Sequence, residues 1–196
     1  LIEVHEPYTI NDIYISRHMN ITIKRLLADV PENLMKRWRK KYPKEVTYVS
    51  KRVLELINVL KENDIFDKAL IIVTSDHGQL LGEHGRIGHG IFLYDELLRV
   101  PLLIKYPREC KIENVQKELK YISLTRLKRF ILDVINNHVT DDSVLYEDIV
   151  FAESYGITQN VGEVSNDQVK KIMDQFEKYR IAVYYKNFKG IFNVPD

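Results

Sequence analysis

The run Lys68-Ala69-Leu70-Ile71-Ile72-Val73-Thr74-Ser75 constrains the fold more than any other stretch of this chain. Its apolar residues are continuous, where a half-exposed strand would alternate. The segment therefore predicts a strand covered on both faces by helices, as in a parallel α/β sheet. Directly after it come five of the eight glycines, at 78, 82, 85, 88 and 90, and three of the six histidines, at 77, 84 and 89. Ligands of open α/β sheets gather beyond the carboxyl ends of strands, so the 76–90 loop is the first place to look for chemistry.

The remaining elements fit around that strand. Residues 1–4 (LIEV) read as the end of a buried strand that Pro7 stops by removing a ladder donor. With no initiator Met, the chain is expected to be entered partway through a strand, as a piece of something longer. A short helix is predicted over 32–41, ending near Tyr42-Pro43. A second follows, with Val46, Val49, Val53, Leu56, Ile57 and Leu60 on one face. Residues 98–105 (LLRVPLLI) predict a strand, with Pro101 inside it at an edge or bulge. Ser123 is a candidate N-cap for a helix carrying Leu124, Leu127, Phe130, Ile131, Val134 and Ile135.

Further on, 148–153 predicts a strand and 167–178 a helix buried through Val169, Ile172, Met173 and Phe176. The runs 180–186 and 188–194 predict a hairpin turning at Asn187. The expected fold class is α/β: a mostly parallel sheet flanked by helices, with a small C-terminal antiparallel subdomain of sheet plus helix. The expected division is 1–140 and 141–196.

Charge and composition remove several function classes. Lys and Arg total 29 against 28 Asp and Glu, a net charge of +1, which argues against a nucleic-acid partner held by phosphate charge. Lys36, Arg37, Arg39, Lys40, Lys41 and Lys44 do surround Trp38. At this net charge the cluster reads as a solvated helix face, the alternative being a border that attracts an anionic polymer. No apolar run reaches the roughly 20 residues of a membrane-spanning helix, so no membrane segment is expected. The lone Cys110 excludes an internal disulfide framework and a multi-cysteine zinc site, and is what a reducing compartment permits.

Within the loop, Asp76 and His77 offer a carboxylate and an imidazole side by side. Neighbouring side chains of a strand point to opposite faces. The pair can therefore share one divalent ion only if the backbone turns there, which Gly78 permits. The plainer reading has Asp76 capping a turn and His77 half-buried. His84 and His89 are further ligands, anion contacts or simple loop residues. HExxH is absent. Tyr179, Tyr184 and Tyr185 in the tail read as a sheet-packing surface.

The segments Val73-Thr74-Ser75-Asp76-His77-Gly78, Leu81-Gly82-Glu83-His84-Gly85, His89-Gly90 and Leu93 to Pro107 follow one another in an order that resembles the sulfatase family of the alkaline phosphatase superfamily. His5-Glu6-Pro7-Tyr8 looks like the family's H-x-P-Y segment, and Tyr48 to Asp67 like the helix ahead of its S-D-H-G strand. The similarity covers about two thirds of the chain.

It implies an alkaline-phosphatase-like fold, present in part, and metal-dependent hydrolysis of sulfate esters. Asp76 and His77 would bind one divalent cation: calcium first, with manganese, magnesium or zinc as alternatives. His5 and His89 would be the catalytic histidines, on the transferred group or its leaving oxygen. Position 89 is commonly Lys in classical sulfatases and His in several relatives. That leaves a phosphoester or phosphonate hydrolase, or a phosphoglycerol-type transferase, as the rival within the scaffold. A non-catalytic binding module is the rival outside it.

The family nucleophile is a formylglycine made in C-x-P-S-R, or a Ser or Thr. Arg108-Glu109-Cys110-Lys111-Ile112 is not that motif. The implied partners are a small-molecule or saccharide sulfate or phosphate ester and an N-terminal half of the same protein carrying the nucleophile. Alone, the chain is expected to hold half a site and to be inactive.

Overall fold

The computed structural model describes residues 30–113, 120–136, 138, 140–156 and 178–194. The expected strand over 1–4 and all of the expected helix over 167–178 except Lys178 lie outside the described residues. Two compact units are present. Of the described residues, one unit contains those up to Asp67, Thr74–Gly90 and Asp95–Pro101, and the other contains Lys68–Val73, Ile91–Tyr94 and those from Leu102.

The first unit is built on helix α1 (Glu32–Glu62), which runs without interruption through Pro43. The sequence predicted two helices meeting at that proline. A proline inside a helix removes one backbone hydrogen bond and crowds the carbonyl four residues earlier, at a cost of about 3 kcal/mol. Packing on both sides of position 43 offsets it. Trp38 is fully buried with Val30 and Ile87, and Leu34, Met35, Tyr42 and Leu81 pack against them. Leu34, Trp38 and Tyr42 recur every four residues, so this arm is held by its own apolar stripe. The aromatic at the centre of the basic cluster is thus a core residue, while Lys36 at the surface pairs with Glu32 at 3.0 Å. Beyond Pro43, Val49, Val53, Ile57 and Leu60 are half-buried, and Leu56 is exposed.

Also in this unit, β2 (Leu80–Leu81) and β3 (Ile87–Gly88) form a short antiparallel hairpin pairing Leu80 with Gly88 and Leu81 with Ile87. The one-turn helix α2 (Asp95–Leu98) follows. It takes in Leu98, which the sequence assigned to a strand. The strand starts only after Pro101, whose missing N–H is tolerated at that boundary.

The second unit holds β4 (Leu102–Lys105), which pairs with β1 (Ile71–Thr74), and the residues of β1 up to Val73. Its core is Phe130, Val134 and Leu145, with Leu70, Ile72, Ile104 and Tyr106 packed against them. Phe130 and Val134 come from α3 (Leu127–Ile135), entered through a 3₁₀ turn that Ser123 caps by accepting from the Thr125 N–H. β5 (Tyr121–Ile122) pairs antiparallel with β6 (Tyr146–Glu147). A three-stranded antiparallel sheet joins β7 (Ile149–Ser154), β8 (Arg180–Tyr185) and β9 (Phe188–Asn193). Its hairpin turns on Lys186-Asn187, with Lys186 in the left-handed region at φ 52°. Ala182 and Tyr184 are buried, while Phe151, Phe188 and Phe192 are exposed, as alternation requires.

Two outcomes follow. Trp38→Ala should cost about 3–5 kcal/mol in a denaturant titration, whereas exposed Leu56→Ala should stay within about 0.5 kcal/mol. Burial, with Asp142 and Tyr146 nearby, pushes the Tyr106 hydroxyl up to about 12. A proton held more tightly in the folded state stabilises it below the ordinary tyrosine pKa, and that contribution is lost as pH rises from about 10 to 12. Tyr106→Phe should therefore flatten the alkaline limb of the stability profile over that interval.

Candidate active site

The chain leaves β1 through a turn built from local bonds. The Thr74 hydroxyl donates to the Pro101 carbonyl at 2.9 Å, and the Ser75 hydroxyl to the His77 carbonyl at 2.7 Å. Gly78 N–H then donates to the Leu97 carbonyl at 2.8 Å, and Gln79 N–H to the Glu96 carbonyl at 2.9 Å. These last two bonds lay the turn directly against α2. A Cβ on Gly78 would overlap the Glu96 carbonyl oxygen and sit 3.3 Å from the Leu97 Cα. The sequence assigned Gly78 to backbone freedom in a turn. In the structure it is required because two stretches of main chain approach too closely for a side chain.

The turn brings Asp76 and His77 onto one side. Asp76 Oδ1 lies 3.9 Å from His77 Nε2, with the Asp76 side chain 88% exposed and that of His77 38%. His77 Nδ1 donates to the Gly78 carbonyl at 2.8 Å. A carbonyl can only accept, so Nδ1 carries the proton and Nε2 is the lone-pair nitrogen of the neutral ring. Asp76 Oδ1 accepts from the His77 N–H at 3.0 Å and the Ser75 hydroxyl at 3.4 Å. Slight desolvation raises the Asp76 carboxyl pKa, but the His77 ring when it is protonated, the backbone N–H groups of 76 and 77 and the Ser75 hydroxyl together hold it below the ordinary carboxylate range. Asp76 is therefore ionised throughout the neutral range.

His89 joins them. Its ring stacks on His77, with centroids 4.1 Å apart and planes at 27°. Its Nδ1 lies 3.1 Å from Gln79 Oε1. One further step of the β2–β3 ladder sets Gln79 opposite His89, and this explains the pair. Gln79 carries no motif of its own; the signal that would have found it is the hairpin register of Leu80-Leu81 against Ile87-Gly88. His84 lies in the left-handed region at φ 55° and turns to Glu96, with Nε2 3.4 Å from Oε2. Glu83 stays within its own turn, accepting from the Leu81 N–H at 2.6 Å. Arg39 of α1 reaches the same loop, its Nε donating to the Leu81 carbonyl at 2.7 Å. His5 lies outside the described residues. Cys110 is half-buried against the Phe130 core.

The donor set fits part of a divalent-cation site. Carboxylate oxygen and neutral imidazole nitrogen suit such ions, and 3.9 Å is less than twice a bond of about 2.0–2.6 Å, so one ion can reach both. The Nδ1–H bond to a backbone carbonyl is the support that metal-binding histidines take. Among the described residues, no group of three or more His, Cys, Asp and Glu is arranged to hold a metal. Asp76 and His77 thus account for two ligands of a larger set.

Residues 3–137 match the family described as Sulfatase. The chain belongs to the sulfatase family. Among curated relatives of this sulfatase-family chain, the choline-sulfatase of Rhizobium meliloti is 37% identical over 79 residues, 40% of this chain and 15% of that protein. The N-acetylglucosamine-6-O-sulfatase of Bacteroides thetaiotaomicron is 39% identical over 70 residues, 36% of this chain and 12% of that protein. The mouse iduronate 2-sulfatase is 32% identical over 89 residues, 45% of this chain and 16% of that protein. The matched stretches are therefore less than a fifth of these relatives' length.

Of solved structures, the phosphonate monoester hydrolase SpPMH from Silicibacter pomeroyi superposes with a TM-score of 0.62 at 22% identity, covering 81% of this chain and 33% of that one. That likeness gives the fold, which is alkaline-phosphatase-like, built here from helices and antiparallel sheets.

Gly78→Ala tests the close approach. It should lower stability by more than about 2 kcal/mol, since overpacking against rigid backbone is not relieved by a side-chain rotation. Amide exchange should speed up selectively at position 78 and at Gln79.

Proposed function

We propose that the natural polypeptide carrying this sequence is a metal-dependent hydrolase of sulfate esters, small-molecule or saccharide, in which Asp76 and His77 bind the cation and His89 acts on the ester. Family membership supports the reaction class. The observation that carries the residue assignment is His77 set between Asp76, its neighbour on the turn, and His89, brought up by the β2–β3 hairpin, the two rings stacked at 4.1 Å. Calcium is the proposed ion, the ionised carboxylate being a hard oxygen donor. His5 is proposed as the second catalytic histidine. The nucleophile is proposed to come from sequence other than this chain, because C-x-P-S-R does not occur in it and Cys110 sits in another context, Arg108-Glu109-Cys110-Lys111-Ile112. We further assign 1–140 to the catalytic domain, with a mostly parallel sheet, and 141–196 to a smaller subdomain.

When bound, the cation screens the charge of the ester and stabilises charge on the attacking oxygen. Asp76 contributes a negative charge that persists at neutral pH, and His77 presents Nε2 because Nδ1 is committed to Gly78. His89, as imidazolium, can donate to an ester oxygen or to the leaving alkoxide. The same imidazole supports a second reading. A histidine can shed its charge where a lysine would keep it, and this suits a phosphoester or phosphonate hydrolase, or a phosphoglycerol-type transferase, on the same scaffold.

The test is to assay the natural polypeptide against aryl sulfate, phosphate and phosphonate esters side by side. Sulfate turnover should dominate, vanish with EDTA and return with Ca²⁺. Asp76→Ala and His77→Ala should each lower kcat/KM more than about 100-fold, beyond what loss of an outer partner of a metal site brings. Dominant phosphate or phosphonate turnover would select the second reading. Turnover indifferent to EDTA and to both variants would overturn the assignment, and no turnover of any ester would select a binding module.

A further inference from the structure

We propose that Gln79 is a positioning residue: it holds the Nδ1–H of His89, so that Nε2, which takes the second proton in the imidazolium, is the nitrogen of His89 that meets the transferred group. The role of His89 rests on the functional reading above; the placement of its proton by Gln79 does not. Gln79 Oε1, 3.1 Å from Nδ1, is an acceptor-only atom, which puts the proton on His89. The contact is prepared at two levels below the side chain. The ladder pairing Leu80 with Gly88 sets Gln79 opposite His89, and the Gln79 N–H bond to the Glu96 carbonyl at 2.9 Å fixes the backbone from which the amide extends.

His77 is treated in the same way by a different group, its Nδ1 lying 2.8 Å from the Gly78 carbonyl. Two stacked imidazoles thus have Nδ1 committed to an oxygen, one from the main chain and one from Gln79. Which nitrogen of a histidine does chemistry is set by the hydrogen bond the other one makes. Without Gln79, the ring at 89 would lose the oxygen that takes its Nδ1 proton.

Long-range ¹H–¹⁵N correlation spectra of the histidine-labelled full chain, at a pH of about 8 where an ordinary imidazole is neutral, test this without any assay. In the wild-type protein, His89 should show a protonated Nδ1 and an unprotonated Nε2. Gln79→Leu, close in shape but without an acceptor, should move the proton to Nε2 or give a mixture. Gln79→Glu, which can only accept, should keep the wild-type pattern. A proton on Nε2 in the wild-type protein, meaning that the amide offers its NH₂ instead, would overturn the proposal. So would an Nδ1–H pattern that survives Gln79→Leu.

In the natural polypeptide acting on an aryl sulfate, Gln79→Leu should lower kcat about 10–100-fold, as loss of an orienting partner does, with KM changed less than about twofold. Gln79→Glu should restore most of it. Failure of the functional reading is seen separately. A protein that turns over no ester yet keeps a Gln79-dependent tautomer supports the positioning and overturns the hydrolase.

Discussion

Two main-chain hydrogen bonds carry the candidate site: Gly78 N–H to the Leu97 carbonyl and Gln79 N–H to the Glu96 carbonyl. They press the turn after β1 against one turn of helix so closely that position 78 has no room for a side chain. Asp76 and His77 on one side of that contact, and Gln79 on the other, have their backbone fixed by it. Backbone placed by backbone is a stiff support. It leaves the side chains with short, local bonds to make, and each of them makes one. A carboxylate standing 88% exposed, yet held ionised by its neighbours, is costly to keep in one place unless its main chain is already fixed.

The hairpin adds the third participant. His89 is ten residues from Gln79, and only the pairing of β2 with β3 brings the two face to face. The hairpin in turn rests on α1, through Ile87 and Leu81 packed on Trp38 and Tyr42 and through the Arg39 bond to the Leu81 carbonyl. The basic segment 36–44 thus serves the site by packing: its aromatic lies in the core, and one of its cations ties down the loop. Charge alone would have suggested an outward-facing role for all of it.

Much of this was legible in the sequence where one residue pattern admits one outcome. The unbroken apolar run ending at Val73 named β1, Ser123 before an apolar stripe named the start of the turn leading into α3, and the β-rich runs around 186–187 named the β8–β9 hairpin. Asp76, His77 and His89 were nameable through their motifs, and the structure brings those three together. What could not be read depends on partners distant in sequence. Pro43 looks like a helix end until Trp38 and Tyr42 are seen buried together. Leu98 looks like strand until α2 takes it in. Gln79 looks like loop filler until a two-pair ladder sets it against His89. Gly78 was read as a residue that permits a turn, and its steric need stayed hidden, since a limit set by another segment leaves no mark on local sequence.

The central claim is that this turn offers an acid and an imidazole to one divalent ion. Crystals of the natural polypeptide grown with Mn²⁺ would test it by anomalous scattering at the manganese edge. The account predicts a peak within about 2.6 Å of both an Asp76 carboxylate oxygen and His77 Nε2. Manganese bound by other side chains, with Asp76 and His77 outside that distance, would contradict it.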